Sequence, residues 1–323
     1  MRKVQRLIFT ALGLALPLLL SQCSLMKGAV PSGVRGIKPG EAAKLAEAYD
    51  PAPNRQTSRL DRREIPLDRL ETLGDLAVQN HDYERSLVNF LQILKNQPEN
   101  QDLRYKVGVI FLLNGQYEAA RRELARLLIK QPEMLAAHEA LGLVHLQEKQ
   151  YPLALEEFRL VLAKEPNRAR TRYLLGVAQL MAGQTREAIT ALEAAAALDP
   201  RHIGTLTALG QAYLQVKDYP RAITWLKKGQ TLAPNHVKIN YHLGMALAAT
   251  KRYPEALQTF LKAGDEAQAY NNIGVHYFME GQYEEAAKCF QRALELRPTF
   301  YHEAKVNLNR ALERLQEARK DAI

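Results

Sequence analysis

Cysteine is nearly absent. Cys23 and Cys289 are the two thiols of a 323-residue chain, too few for a disulfide framework. Cys289 stands beside Phe290 inside an apolar run, the setting of a small packing residue rather than a reactive one. Catalytic motifs are missing too: there is no GxGxxG, P-loop, GxSxG, HExxH or CxxC. Carboxylate pairs such as Glu156 with Glu157, or Glu284 with Glu285, read as solvated helix faces. The chain is therefore expected to bind rather than to catalyse, with no cofactor, no metal and no small-molecule substrate.

A basic excess is lacking where nucleic-acid binding would need one. The formal charge is +9, of which Arg2, Lys3 and Arg6 supply +3 without any acid in residues 1–22. Residues 23–66 supply another +3 from eight basic and five acidic residues, so +3 is left for residues 67–323. Spread over that length, it makes no basic stripe with interleaved aromatics, and nucleic acid is not the expected partner.

One long hydrophobic run exists. Leu7 to Leu20, interrupted by Thr10, Gly13 and Pro17, follows Arg2, Lys3 and Arg6 in the pattern of a secretory signal over residues 1–22. The run is short for a helix that crosses a bilayer, which needs about 20 residues. It ends on Leu20-Ser21-Gln22-Cys23, which resembles the lipobox of bacterial lipoproteins and implies a lipid on Cys23 that ties the chain to a membrane. Gln22 departs from the small residue that signal peptidases take at that place, so ordinary cleavage or retention as an anchor stays open. Residues 23–66, spaced by Pro31, Gly33, Gly36, Pro39, Gly40, Pro51 and Pro53, read as a flexible tether. Within it, Glu41–Tyr49 is rich in helix formers and reads as a short helix or a segment ordered by a partner.

The rest of the chain repeats. Gly74, Gly108, Gly142, Gly176, Gly210, Gly244 and Gly274 recur every 34 residues except for the last interval, which is 30. In a frame that starts at Leu67, glycine is always eighth. The twentieth residue is always small: Ser86, Ala120, Ala154, Ala188, Ala222, Ala256 and Ala286. A tyrosine opens the seventeenth position in every repeat but one, which has Thr185, and proline closes position 32 in all but the sixth. Each period is one pair of helices that buries its apolar face only by stacking on its neighbours.

This pattern resembles the tetratricopeptide repeat (TPR) family, most fully in the seventh repeat with Tyr270, Ile273, Gly274, Tyr277, Ala286, Phe290, Ala293 and Pro298. The resemblance implies an all-α fold, a right-handed superhelical solenoid of seven helix pairs over residues 67–300, the sixth shortened to 30 residues, with a capping helix over 301–323. Val306, Leu308, Leu312 and Leu315 are the apolar stripe expected of that cap. His138 and His145 fall at positions that the family fills with packing residues.

The family also holds peptides against the first helices of its pairs, at positions that include 5, 9 and 12. Carried onto this sequence, the implied groove is Tyr105, Val109 and Leu112; Leu143 and Leu146; Tyr173, Val177 and Leu180; Gln211 and Leu214; Tyr241 and Met245; and Asn271, Val275 and Phe278. The competing expectation is that positions 9 and 12 pack against the next helix. A helix or extended peptide is the implied ligand.

Leader, lipobox-like end and array together are similar to the TPR lipoproteins of Gram-negative envelope assembly systems, in particular the TadD-like proteins of tight-adherence (Flp) pilus loci. They share a segment like Ala269-Tyr270-Asn271-Asn272-Ile273-Gly274. That resemblance implies a periplasm-facing, lipid-anchored outer-membrane scaffold that binds a secretin or pilus subunit. A scaffold for envelope polysaccharide or cell-wall enzymes is the alternative left open.

Overall fold

A computed structural model describes residues 66–297 and 301–320. The leader, Cys23, the tether with its Glu41–Tyr49 segment, and Pro298 lie outside the described residues. The described residues fall into two compact bodies, one up to Pro166 and one from Asn167. In the N-terminal body, α1 (Leu67–Gln79) pairs with α2 (Tyr83–Asn96), α3 (Gln101–Leu113) with α4 (Tyr117–Lys130), and α5 (Leu135–Gln147) with α6 (Tyr151–Lys164). In the C-terminal body the pairs are α7 (Ala169–Met181) with α8 (Thr185–Leu198), α9 (Ile203–Gln215) with α10 (Tyr219–Leu232), α11 (Val237–Ala249) with α12 (Tyr253–Ala263), and α13 (Glu266–Met279) with α14 (Tyr283–Leu296). α15 (His302–Lys320) packs on α14 and touches α13. Among the described residues all regular structure is helical, the all-α repeat class expected from the sequence.

The repeated glycine is explained by what faces it. A Cβ on any of the seven would lie no more than 2.9 Å from the side chain at position 24 of the same repeat: Phe90, Leu124, Phe158, Leu192, Leu226, Phe260 or Phe290. Those large side chains are all buried, as are the seven small residues at position 20. Glycine is a poor helix residue by about 1 kcal/mol, and close approach of the paired helices offsets that cost.

Each first helix ends in the same turn. The N–H of Asp82, Gln116, Gln150, Gln184, Asp218, Arg252 or Gln282 donates to a carbonyl five residues back, and the residue before it has φ near +60° to +78°. This is the Schellman stop. Gly115, Gly183 and Gly281 suit the left-handed conformation, whereas His81, Lys149, Lys217 and Lys251 adopt it with a Cβ.

The sixth pair departs from the rest. α12 has 11 residues against 14 in the other second helices, stops at Gly264, and gives way to Asp265, whose carboxylate accepts from the N–H of Ala267 and caps α13. Arg297 pairs with Asp265 from the end of α14.

The cap corrects the sequence reading of its seam. α15 adds Ala311 to the cluster of Ala286, Ala287 and Phe290 on α14, Leu308 packs against that cluster, Ala304 is buried, and Leu312 is exposed. Alanine and leucine share the seam: Val306, Leu308 and Leu315 of the expected stripe are half-buried, and Leu312 points away.

Candidate protein-binding faces

In the N-terminal body the first helices carry their polar groups inward. Asp75 is buried on α1, and Lys106 from α3 reaches it, Nζ donating to Oδ1 at 3.1 Å and Oδ2 at 3.3 Å, with a third bond to Glu71 Oε1 at 3.0 Å. The same ammonium lies 5.4 Å from the centre of the Phe90 ring. Burial pushes the Asp75 carboxyl up, and the Lys106 charge works against that shift. Val109, Leu112, Leu143 and Leu146 are buried, and Tyr105 is half-buried. His145 is buried and bonded to Gln150 at 2.7 Å, and His138 bridges Glu157 at 2.6 Å and the Pro132 carbonyl at 2.9 Å. Glu157 is thus a packed partner and not a solvated face.

The C-terminal body holds the other candidate positions. Tyr173 is 7% exposed, its ring edge-on to His202 at 4.7 Å between centroids and its hydroxyl against Gly204, where a Cβ would come within 3.0 Å. Burial pushes this phenol up to about 12. Val177, Leu180, Gln211 and Asn271 are buried as well, and Asn271 Oδ1 accepts from Asn307 Nδ2 of α15 at 3.1 Å. Half-buried and reachable are Leu214, Tyr241, Met245, Val275 and Phe278. Tyr241 leans on His242 and Phe260, and burial, then the Glu303 charge, raises its phenol.

Sequence positions 9 and 12 therefore lie largely inside the stack, while Tyr105, Leu214, Tyr241, Met245, Val275 and Phe278 offer surface. Period alone puts both sets on one helical face and cannot say which of them a neighbour covers. Two polar features had no place in that pattern. One is Lys106. The other is a pair of histidine caps, His202 and His236, whose Nδ1 atoms accept from the N–H of Thr205 and Ile239. They stand just before α9 and α11, where Asn100 caps α3, and that place in the frame was the available signal.

Among the described residues there is no group of three His, Cys, Asp or Glu side chains placed to hold a metal ion, and no helix is long and apolar enough to cross a membrane. The Cys289 thiol is half-buried, and burial pushes it up to about 11, away from thiolate reactivity.

Stacked helix pairs that present half-buried aromatic and aliphatic side chains on their first helices define a helical-repeat scaffold for protein–protein interaction. Family models described as Tetratricopeptide repeat match residues 71–126, 112–170, 145–202 and 267–300, together a little over half of the chain. A model described as Anaphase-promoting complex, cyclosome, subunit 3 matches residues 181–263. The chain belongs to the tetratricopeptide repeat family. Similar solved structures include pilF of Pseudomonas aeruginosa, with 23% identity over 67% of this chain and 97% of that one at a TM-score of 0.52. A tetratricopeptide repeat protein from Parabacteroides merdae aligns over 76% of this chain and 98% of its own with 13% identity and a TM-score of 0.55. MamA from Desulfovibrio magneticus shares 26% identity over 51% of this chain and 94% of its own, with a TM-score of 0.48. No curated protein matches the chain in sequence.

Proposed function

We propose that this protein is a non-enzymatic scaffold of the bacterial envelope that assists assembly of a pilus or secretion complex by holding a partner segment on its first helices. The observation that carries this reading is the basic and apolar leader ending at Cys23, set before an array whose reachable first-helix side chains are Tyr105, Leu214, Tyr241, Met245, Val275 and Phe278. A lipid on Cys23 holds the array at a membrane, and the array recruits. Tyrosine and phenylalanine are frequent anchors of interfaces, because they bury much area with few rotors, and methionine adapts its shape to a partner. Burying the five reachable side chains of the C-terminal body yields roughly 1.5–3 kcal/mol each, against about 4–15 kcal/mol for association, so micromolar binding, about 8 kcal/mol, needs burial at the upper end and association costs at the lower end of those ranges.

The test is fractionation of the native host with the wild type and with Cys23→Ala, followed by identification of co-purifying proteins. The wild type is expected in the outer membrane with a secretin or pilus subunit, and Cys23→Ala in the soluble fraction. A soluble wild type contradicts the anchor. Co-purification of glycan-handling enzymes in place of a secretin or pilin contradicts the assembly role.

A further inference from the structure

The N-terminal body divides its charge between its two sets of helices. α1, α3 and α5 hold five acids and three bases, a net charge of −2, whereas α2, α4 and α6 hold five acids and eight bases, a net charge of +3. Some of the second-helix cations are taken: Arg126 pairs with Glu123, Lys130 with Glu99, and Lys164 with Glu133. Lys95, Arg122 and Arg159 are exposed and form no ion pair among the described residues.

A second feature falls on the same helices independently. Among the described residues of this body, the exposed large aliphatic side chains all lie on second helices: Val88 and Leu91 on α2, Ile129 on α4, Leu153 and Leu160 on α6. Ile129 is 82% exposed and Val88 64%, and removal from water favours both. Val88, Leu91 and Lys95 stand three and four residues apart and share one side of α2. Arg122 precedes Ile129 by seven residues, two turns along one side of α4, and Arg159 adjoins Leu160 on α6. Each second helix thus sets an unpaired cation beside an exposed aliphatic. Nucleic acid is met by cations among aromatics that stack on bases, and the exposed side chains here are aliphatic. An anionic lipid surface takes both kinds: aliphatics enter the boundary between headgroups and acyl chains, and lysine and arginine lay their stems along it with their charges outward.

We propose that the second-helix side of the N-terminal body lies on an anionic lipid surface, with Val88, Leu91, Ile129 and Leu160 entering it and Lys95, Arg122 and Arg159 meeting its phosphates. This rests on the reading of Cys23 as a membrane anchor and states which side of the array that membrane covers. The body that follows the tether directly is the one that carries this side, and its net negative first helices stay uncovered.

The experiment is tryptophan quenching by brominated lipid in the full chain carrying Cys23→Ala, so that no lipid on the protein contributes. Trp225→Phe removes the single tryptophan, Ile129→Trp places the probe, and the vesicles contain brominated phosphatidylglycerol or brominated phosphatidylcholine. The probe is expected to lose about half of its emission on phosphatidylglycerol and less than about a tenth on phosphatidylcholine. Arg122→Glu with Arg159→Glu is expected to abolish the loss, and circular dichroism checks that each variant stays helical. Trp225 in a chain that keeps it is expected to hold its emission on both vesicles. No loss at position 129, an equal loss on the two lipids, or an equal loss at Trp225 overturns the proposal. A probe whose emission is shifted by polyglutamate but quenched by neither vesicle gives this side to an acidic protein and overturns the lipid assignment. Failure of the anchor is read separately, because fractionation of the host reports on Cys23 and the quenching does not.

Discussion

The two bodies share one backbone frame, and the N-terminal one adds a buried ion pair to it. In the N-terminal body Asp75 goes inside together with a cation, Lys106, which also reaches Glu71. In the C-terminal body Gln179 and Gln211 go inside with their Oε1 atoms unpaired, and neutral imidazoles occupy the helix starts and the half-buried face at His202, His236, His242 and His276. The same glycine, small residue and large apolar residue build the helix pairs in both. The frame tolerates a buried ion pair in the N-terminal body and unpaired side-chain amide atoms in both, at Gln101 and Gln147 as at Gln179 and Gln211.

The sharpest way to break this contrast is to remove the cation. Lys106→Met leaves Asp75 buried without its partner and is expected to cost about 3 kcal/mol, measured by urea unfolding, whereas Lys238→Met costs less than about 1 kcal/mol. A loss at Lys106 as small as that at Lys238 means the ion pair does not distinguish the bodies.

Next come the glycines, where the bodies should agree. Gly142→Ala and Gly210→Ala each place a Cβ inside the van der Waals limit of Phe158 or Leu226 and are expected to cost about 2 kcal/mol. Adding Leu226→Ala to Gly210→Ala relieves the clash at the expense of a cavity, so the two changes together cost less than their sum. Strict additivity would show that close helix contact is not why glycine is there.

Mild acid separates the bodies again. His242 and His276 titrate at about 4 in the fold against an ordinary 6.5, both chiefly because burial disfavours the cation, and burial also lowers the capping His202 and His236. Between pH 6.5 and 4 the unfolded chain therefore binds more protons at these sites, and the stability present above pH 6.5 is lost as pH falls through that window. Asp75 is shifted in the opposite sense, so protonation there favours the folded N-terminal body. Trp225, the single tryptophan, lies on α10 and reports the C-terminal body. Its urea midpoint is expected to fall clearly from pH 7 to pH 5, and an unchanged midpoint contradicts the histidine account.

The smallest effects are at the turns. Lys149→Gly, Lys217→Gly and Lys251→Gly relieve left-handed backbone at φ 60° to 63° and are each expected to stabilise by about 0.5–1 kcal/mol in thermal unfolding. Destabilisation by all three would mean that the lysine side chains contribute more than the strain costs.

Most of the fold was legible because its constraints repeat. Gly74 and its six counterparts announce a close contact, the small residue at position 20 announces its other side, and tyrosine and proline mark where second helices begin and end. The α15 seam was legible in part, since Leu308 packs on α14 as the stripe suggests while Leu312 is exposed and Ala311 takes a place that the stripe did not include. The candidate face was legible only in part. Tyr173 and Tyr241 occupy the same position of their repeats, yet Tyr173 is covered beside Gly204 and His202 while Tyr241 keeps open surface. That difference is set by what the neighbouring helix brings, which no single repeat records. Lys106 was hidden for the same reason, because its partners lie 31 and 35 residues away.

The most direct test of the account is site-specific photo-crosslinking of the full chain in its native host, comparing a photoreactive residue at position 241 or 245 with one at the exposed second-helix residues Val88 or Leu160. Protein adducts from 241 and 245, and none from 88 and 160, are the predicted result. Adducts from 88 or 160 alone would contradict it, and would move recognition from the first helices to the second.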